Sequence, residues 1–152
     1  VCSSDLDRIF EESSTFEIGK AATLRDGSDV TLITSGYCTS DTLKAADVLA
    51  EQGISARVLN MFTWKPIDAQ AIIAAAAQTG AVVTAENHNI INGLGSAVCE
   101  ILCQNQPAPL EMVGVHDEFG EVGPVDYLAD RFGLTAPYIV EAAKKAIARK
   151  AR

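Results

Sequence analysis

The residues best suited to chemistry are concentrated in one stretch, Thr84-Ala85-Glu86-Asn87-His88-Asn89-Ile90-Ile91-Asn92-Gly93-Leu94-Gly95-Ser96. It places a carboxylate, Glu86, and an imidazole, His88, just past an apolar run and ahead of a glycine-opened segment. Two chemistries suit these residue types. A Glu and a His that reach one substrate form an acid/base pair. A glycine-rich turn at a helix start offers free backbone amides to an anion. Both signals are incomplete. The dinucleotide fingerprint needs a third glycine, and Val98 stands in its place. The loop ahead of Gly93 is also too long for that motif's tight turn. One Glu and one His in a loop are weak evidence for proton transfer. Helix capping, loop bracing or an interface is the favoured role, and Glu86, His88, Asn92, Gly93 and Gly95 form the candidate interface loop.

A second stretch, His116-Asp117-Glu118-Phe119-Gly120-Glu121-Val122-Gly123, carries carboxylates that suit a metal. Its spacing lacks the alternating ligands and terminal Glu of a calcium loop, so a solvent-facing acidic loop is expected. The chain has no nucleophile elbow, no P-loop and no zinc-protease motif. Its four cysteines, Cys2, Cys38, Cys99 and Cys103, contain no Cys-x-x-Cys pair. Cys99 and Cys103 fall on one helix face. The cysteines read as small buried hydrophobes in a reducing cytoplasm. Cys38 sits near an expected helix start, where a thiolate is favoured, but no base neighbours it in sequence.

Composition narrows the classes further. The 152 residues suit one domain, with 48% hydrophobic and 21% charged residues. Twelve Lys and Arg against twenty Asp and Glu give a net charge of −8. That balance disfavours nucleic acid and anionic membranes as partners. No apolar run approaches the roughly 20 residues that span a bilayer. The first six residues, Val1-Cys2-Ser3-Ser4-Asp5-Leu6, lack the basic and apolar regions of a signal peptide. They also match one reading frame of a common sequencing-library adapter. They are read as an assembly artefact, with the native sequence starting near Asp7; the alternative is a genuine polar leader. Residues 1–14 then precede a domain over residues 15–150.

Strand and helix signals alternate and set the loops in place. Phe16 to Ala21 reads as an edge strand, and Val30 to Thr34 as a β-branched strand. Thr39 and Ser40 are N-cap candidates for a helix that closes at Gly53. Ala56 to Phe62 is the next strand. Asp68 caps a helix over Ala69 to Thr79, with Ile67 and Ile72 as a hydrophobic staple and Gly80 at its end. Ala81 to Ala85 is a strand, and Gly93 opens a helix through about Gln104. Leu110 to Val115 is a strand, and a short helix spans about Val125 to Phe132. Thr135 caps a last helix whose basic end, Lys144, Lys145, Arg149 and Lys150, reads as a solvated helix terminus. The alternation argues for a mostly parallel sheet with helices on both faces. Ligands or partners then meet the loops beyond the strand carboxyl ends: Ser35–Ser40, Thr63–Asp68, Glu86–Gly95 and His116–Gly123.

These residues carry a resemblance. The runs Phe16 to Ala21 and Leu24 to Ile33 resemble the start of a transketolase C-terminal domain. So do Ala45-Ala46 through Gly53-Ile54, and Asn60 through Lys65-Pro66-Ile67-Asp68. Glu86-Asn87-His88 followed by Gly93-Leu94-Gly95-Ser96-Ala97-Val98 resembles the family's most recognisable stretch. Val113-Gly114-Val115, Asp117, Phe119-Gly120 and Gly133-Leu134-Thr135 complete it. The resemblance covers about residues 15–148 and is nearest to the short, split-subunit type. Asn87 stands where the family often has a second acidic residue.

The resemblance implies an α/β fold: a three-layer α/β/α domain whose mostly parallel five-stranded sheet has one antiparallel edge strand. It implies a place in a thiamine-diphosphate enzyme that moves a two-carbon ketol unit between sugar phosphates, with the cofactor as electron sink. In the family, the diphosphate and Mg²⁺ ligands and the activating glutamate lie in two upstream domains. The C-terminal domain contributes mainly to dimer assembly. No catalytic, cofactor or metal residue is therefore carried over, and neither thiamine diphosphate nor Mg²⁺ is expected on this chain alone. The implied partners are upstream catalytic domains or an N-terminal subunit, in a homodimer or heterotetramer in the cytoplasm. Sugar phosphates are substrates of the intact enzyme. The same domain of a 1-deoxyxylulose-5-phosphate synthase or a 2-oxoacid dehydrogenase β-subunit is an alternative. A stand-alone regulatory module, with a small molecule beside Gly93 to Gly95, is another.

Overall fold

A computed structural model describes residues 8–150. The adapter-like residues 1–6, with Cys2, lie outside the described residues. Five strands, β1 (Ala22–Arg25), β2 (Val30–Thr34), β3 (Ala56–Asn60), β4 (Val82–Asn89) and β5 (Leu110–Val115), form one sheet in the order β1-β3-β2-β4-β5. β2 sits at the centre, and all five of its residues are buried. A β-branched run covered on both faces is what a central parallel strand requires. β2 pairs parallel with β3 and β4, and β4 with β5. Only β1, at the edge, pairs antiparallel, as the resemblance implied.

The helices are α1 (Cys38–Glu51), α2 (Ala69–Thr79), α3 (Leu94–Asn105), α4 (Val125–Arg131) and α5 (Ala136–Ala148). Strand alternation assigns the two faces. Leu32, Val58 and Val83 join Ala46, Leu49, Ile139 and Ala143 under α1 and α5. Their neighbours Ile33, Leu59 and Val82 join Ile72, Ala76, Leu94 and Val98 under α2 and α3. The result is three layers, α1/α5, sheet, and α2/α3. The alanines of α2 allow it to pack on both the sheet and α3.

Several local expectations need correction. Phe16 to Ala21 is not a strand. The Gly19 amide donates to Thr63 Oγ1 (3.0 Å), and the Ala21 amide to Asp68 Oδ2 (3.0 Å). Side chains of the β3–α2 loop take the amides that a ladder would use, and pairing begins at Ala22. Thr39 and Ser40 do not cap α1, which starts at Cys38 without a side-chain cap. Thr39 Oγ1 instead donates to the Gly36 carbonyl (2.8 Å). Thr135 occupies the N-cap position of α5, yet its side chain makes no cap bond. Asp41 of α1 reaches across and accepts from the Ala136 amide (3.3 Å). Asp68 does cap α2, accepting from Ala71 N (3.0 Å), and Gly80 ends the helix at φ 68°.

Strand β4 is longer than expected and runs through Asn89. The sequence pattern predicts a loop for Glu86, Asn87 and His88. Gly114 of β5 makes the extension possible. A Cβ there would lie 2.9 Å from the His88 carbonyl oxygen and 2.8 Å from Ile90 Cγ2. Without it, the end of β4 stays against β5 despite irregular pairing between Ala85 and Asn89.

Ile139 is fully buried where α5 meets α1 and the sheet. Ile139→Ala should lower unfolding stability by about 2–5 kcal/mol, read as a lower urea midpoint with unchanged m-value.

Candidate functional site

The strand order turns back at β2. The helix after β2 covers one face, and the helix after its neighbour β4 covers the other. Open α/β sheets place their functional crevice at such a point, beyond the strand carboxyl ends. Contacts link the four expected loops along this edge. Trp64, after β3, donates from its indole nitrogen to Ser35 Oγ, after β2 (3.1 Å), and to the Met61 carbonyl (3.2 Å). Its ring meets the His88 ring edge-on at 6.4 Å. Asn89 donates from Nδ2 to Asp117 Oδ1, after β5 (3.3 Å).

Glu86 stands at the centre of this edge and is 1% exposed. Oε2 accepts from the Leu94 amide (2.7 Å) and Oε1 from the Gly95 amide (2.8 Å). Those are the first two amides of α3, two of the donors that every helix start leaves without an internal partner. A carboxylate satisfies them and sits favourably at the positive end of the helix dipole. Gly93 admits it: a Cβ there would lie 2.1 Å from Oε2. Of the roles weighed for Glu86, helix capping is the one the geometry selects.

The same bonds bear on two alternatives. Both Glu86 oxygens are engaged by amides, while the His88 side chain is exposed. The Leu94 and Gly95 amides are likewise taken, so they are not free for a phosphate. His88 instead has Nδ1 2.9 Å from the Asn89 carbonyl oxygen. The rest of the loop braces itself. Asn89 Oδ1 accepts from Ile91 N (2.8 Å), and Ser96 Oγ accepts from Asn92 N (2.9 Å) while donating to the Ile90 carbonyl (2.8 Å). Asn92 adopts φ 62°, a left-handed turn that Asn tolerates.

The acidic stretch after β5 faces solvent, as expected, and ion pairs tie it to α4. Arg131 of α4 bonds Glu118 (2.8 Å) through Nη2 and Glu121 (2.9 Å) through Nε. Glu121 also accepts from the Tyr127 hydroxyl (3.1 Å) and raises its pKa. This clamp presents Phe119 and Val122 to solvent at 99% and 104% exposure. Val125 and Tyr127 follow at 61% and 52%, and Ile91 of the neighbouring loop is 54% exposed. Large exposed apolar side chains of this kind are candidates for a contact surface. Sequence reasoning did not single out Trp64, although it is the only tryptophan and lies in a loop already flagged. Nor did it assign Asp117 and Arg131 their places in this edge.

Among the described residues, no three of His, Cys, Asp and Glu come together as a metal-ligand set. The donor groups present do not fit a Mg²⁺–diphosphate unit, since Glu86 is engaged by backbone amides. The thiols divide. Cys38 is buried at the start of α1, and its pKa is pushed up from 9.0 to about 12, chiefly by burial and then by the charges of Asp41 and Glu86. Burial outweighs the helix start, and Cys38 is the buried hydrophobe that its sequence suggests. Cys103 is exposed and Cys99 half-buried, so these two are not core hydrophobes.

The family described as the transketolase C-terminal domain matches residues 19–139. The chain is 53% identical to the 6-deoxy-6-sulfo-D-fructose transketolase subunit SqwH of a Clostridium species, covering 94% of this chain and 44% of that protein. It is 38% identical to the 1-deoxy-D-xylulose-5-phosphate synthase of Heliobacterium modesticaldum, covering 89% of this chain and 21% of that enzyme. A split-gene transketolase solved as an inactive β4 tetramer superposes with a TM-score of 0.93 at 44% identity, over 96% of this chain and 48% of its own. The chain thus spans less than half the length of these relatives.

Glu86→Ala should lower stability by about 2–4 kcal/mol, because it leaves two buried donors unpaired. Gly93→Ala should lower it similarly by evicting the same carboxylate. In a double-mutant cycle by urea unfolding, the two losses should fall well short of additive. For Cys38, the unfolded chain loses the thiol proton near pH 9 while the folded chain holds it to about pH 12. Across that window the unfolded state binds fewer protons, so this group's contribution to stability declines as pH rises. Thiol trapping of the native chain at pH 8 should label Cys103 and spare Cys38.

Proposed function

The chain belongs to the transketolase C-terminal domain family, and we propose that it is the assembly domain of a split transketolase. It docks onto the domains or subunit that hold thiamine diphosphate and Mg²⁺. The intact enzyme transfers a two-carbon ketol unit between sugar phosphates, and bound thiamine diphosphate supplies the electron sink for that transfer. The residues of this chain bind and orient the partner. The carrying observation is the exposure of Phe119 and Val122, in the loop that Arg131 ties to α4, with Ile91 exposed in the loop after β4. The high identity to a protein named a transketolase subunit, and the likeness to a split-gene chain, support a separate partner. The name of the first of these supports a sulfonated ketose as a donor beside phosphorylated ones.

Two other readings receive less support. The same domain of a 1-deoxy-D-xylulose-5-phosphate synthase rests on lower identity. A ligand-binding module beside Gly93 to Gly95 would need the amides that Glu86 already occupies.

The double variant Phe119→Ser/Val122→Ser should weaken association with the cofactor-bearing partner by about 30-fold, a loss of about 2 kcal/mol by titration calorimetry. An unchanged Kd would contradict docking through this edge. His88→Ala should leave turnover of the reconstituted enzyme near that of the wild type. Lost turnover with association intact would make the loop catalytic rather than structural.

A further inference from the structure

A second cluster of side chains lies along the outer face of α3. Cys99 and Cys103 stand one turn apart, with their sulfurs 3.8 Å from each other. Both line an open cleft of about 460 Å³, whose other walls are Asn92, Ser96, Glu100, Gln104 and Met112. Met112 of β5 lines the same cleft. Its Sδ packs against Gly95, one turn before Cys99, so rotation of the flexible side chain is what would bring this third sulfur to an ion in the cleft. Two thiols and one thioether side chain from two elements therefore line one open cleft.

The spacing is informative. Two thiolates about 2.3 Å from one tetrahedral ion are themselves about 3.8 Å apart. The thiol pair already has the separation that shared coordination requires, and no helix distortion is needed to reach it. Cys103 is exposed and Cys99 half-buried, so an ion can enter. Thiolate and thioether ligands select soft ions, Cu⁺ and Zn²⁺ among them, over Mg²⁺ or Ca²⁺. The thioether favours Cu⁺ of that pair. Methionine is also the most adaptable of the apolar side chains and can swing its sulfur toward an ion.

We propose that Cys99, Cys103 and Met112 bind a thiophilic metal ion, Cu⁺ foremost. Two S–H bonds break, and two metal–thiolate bonds and one metal–thioether bond form. Both protons pass to solvent, the thioether donates a lone pair, and the metal keeps its oxidation state. The proposal is independent of the assembly reading, since none of its ligands lies in the Phe119–Val122 surface.

The test is an anaerobic titration of the full chain, with Cys2→Ser so that the N-terminal thiol does not compete. Cu⁺ is supplied as its complex with a chromophoric chelator, and the chelator's absorbance reports transfer. The expected result is withdrawal of one equivalent of Cu⁺, with a new ultraviolet thiolate-to-copper band. Cys99→Ala and Cys103→Ala should each abolish the transfer, and Met112→Leu should weaken it. Alanine is favourable in a helix interior, and both cysteines reach the surface, so these variants should keep the parent's far-ultraviolet dichroism. Cys99→Ser/Cys103→Ser provides the second check. Failure of the parent to withdraw Cu⁺, or retention of Cu⁺ by the double cysteine replacement, would overturn the site. Met112→Leu binding as tightly as the parent would overturn the three-sulfur set.

Discussion

The architecture of the functional edge depends on one buried carboxylate. Glu86 leaves the end of β4 and places both oxygens on the first amides of α3. The bond joins the sheet to the α2/α3 layer where the chain turns between them. It requires an empty position at Gly93 and close passage of β4 over Gly114. A charge this deep is tolerated because amides and the helix dipole replace its water. The loop from Asn89 to Ser96 is consequently anchored at its base and braced by its own side chains.

That anchoring decides what the edge can do. The groups best suited to acid/base work or anion binding are already bonded to each other. What remains outward is imidazole, indole and apolar surface: His88 near Trp64, then Ile91, Phe119 and Val122. The ion pairs of Arg131 with Glu118 and Glu121 tie the loop that carries Phe119 and Val122 to α4.

Much of this fold was legible in the sequence where its signals are local. Helix α2 was read to both ends because its cap, its staple and its left-handed glycine are all near neighbours in the chain. Strand β5 was likewise bounded by its own apolar run. The errors share a cause. Phe16 to Ala21 lost its strand to Thr63 and Asp68. Helix α5 drew its cap from Asp41 rather than Thr135. The end of β4 gained strand character from a glycine in β5. In each case a residue distant in sequence supplied the deciding contact. The candidate loop was found by residue type, and capping was among its weighed roles. The choice between capping and chemistry required knowing where the Leu94 and Gly95 amides point.

The central claim is that this edge is where a partner carrying the cofactor docks. Hydrogen–deuterium exchange on the chain alone and in complex with that partner tests it most directly. The account predicts slowed exchange over residues 86–95 and 116–127, with the outer face of α1 and α5 unchanged. Protection confined to α1 and α5, with the strand carboxyl ends exchanging as in the free chain, would contradict it.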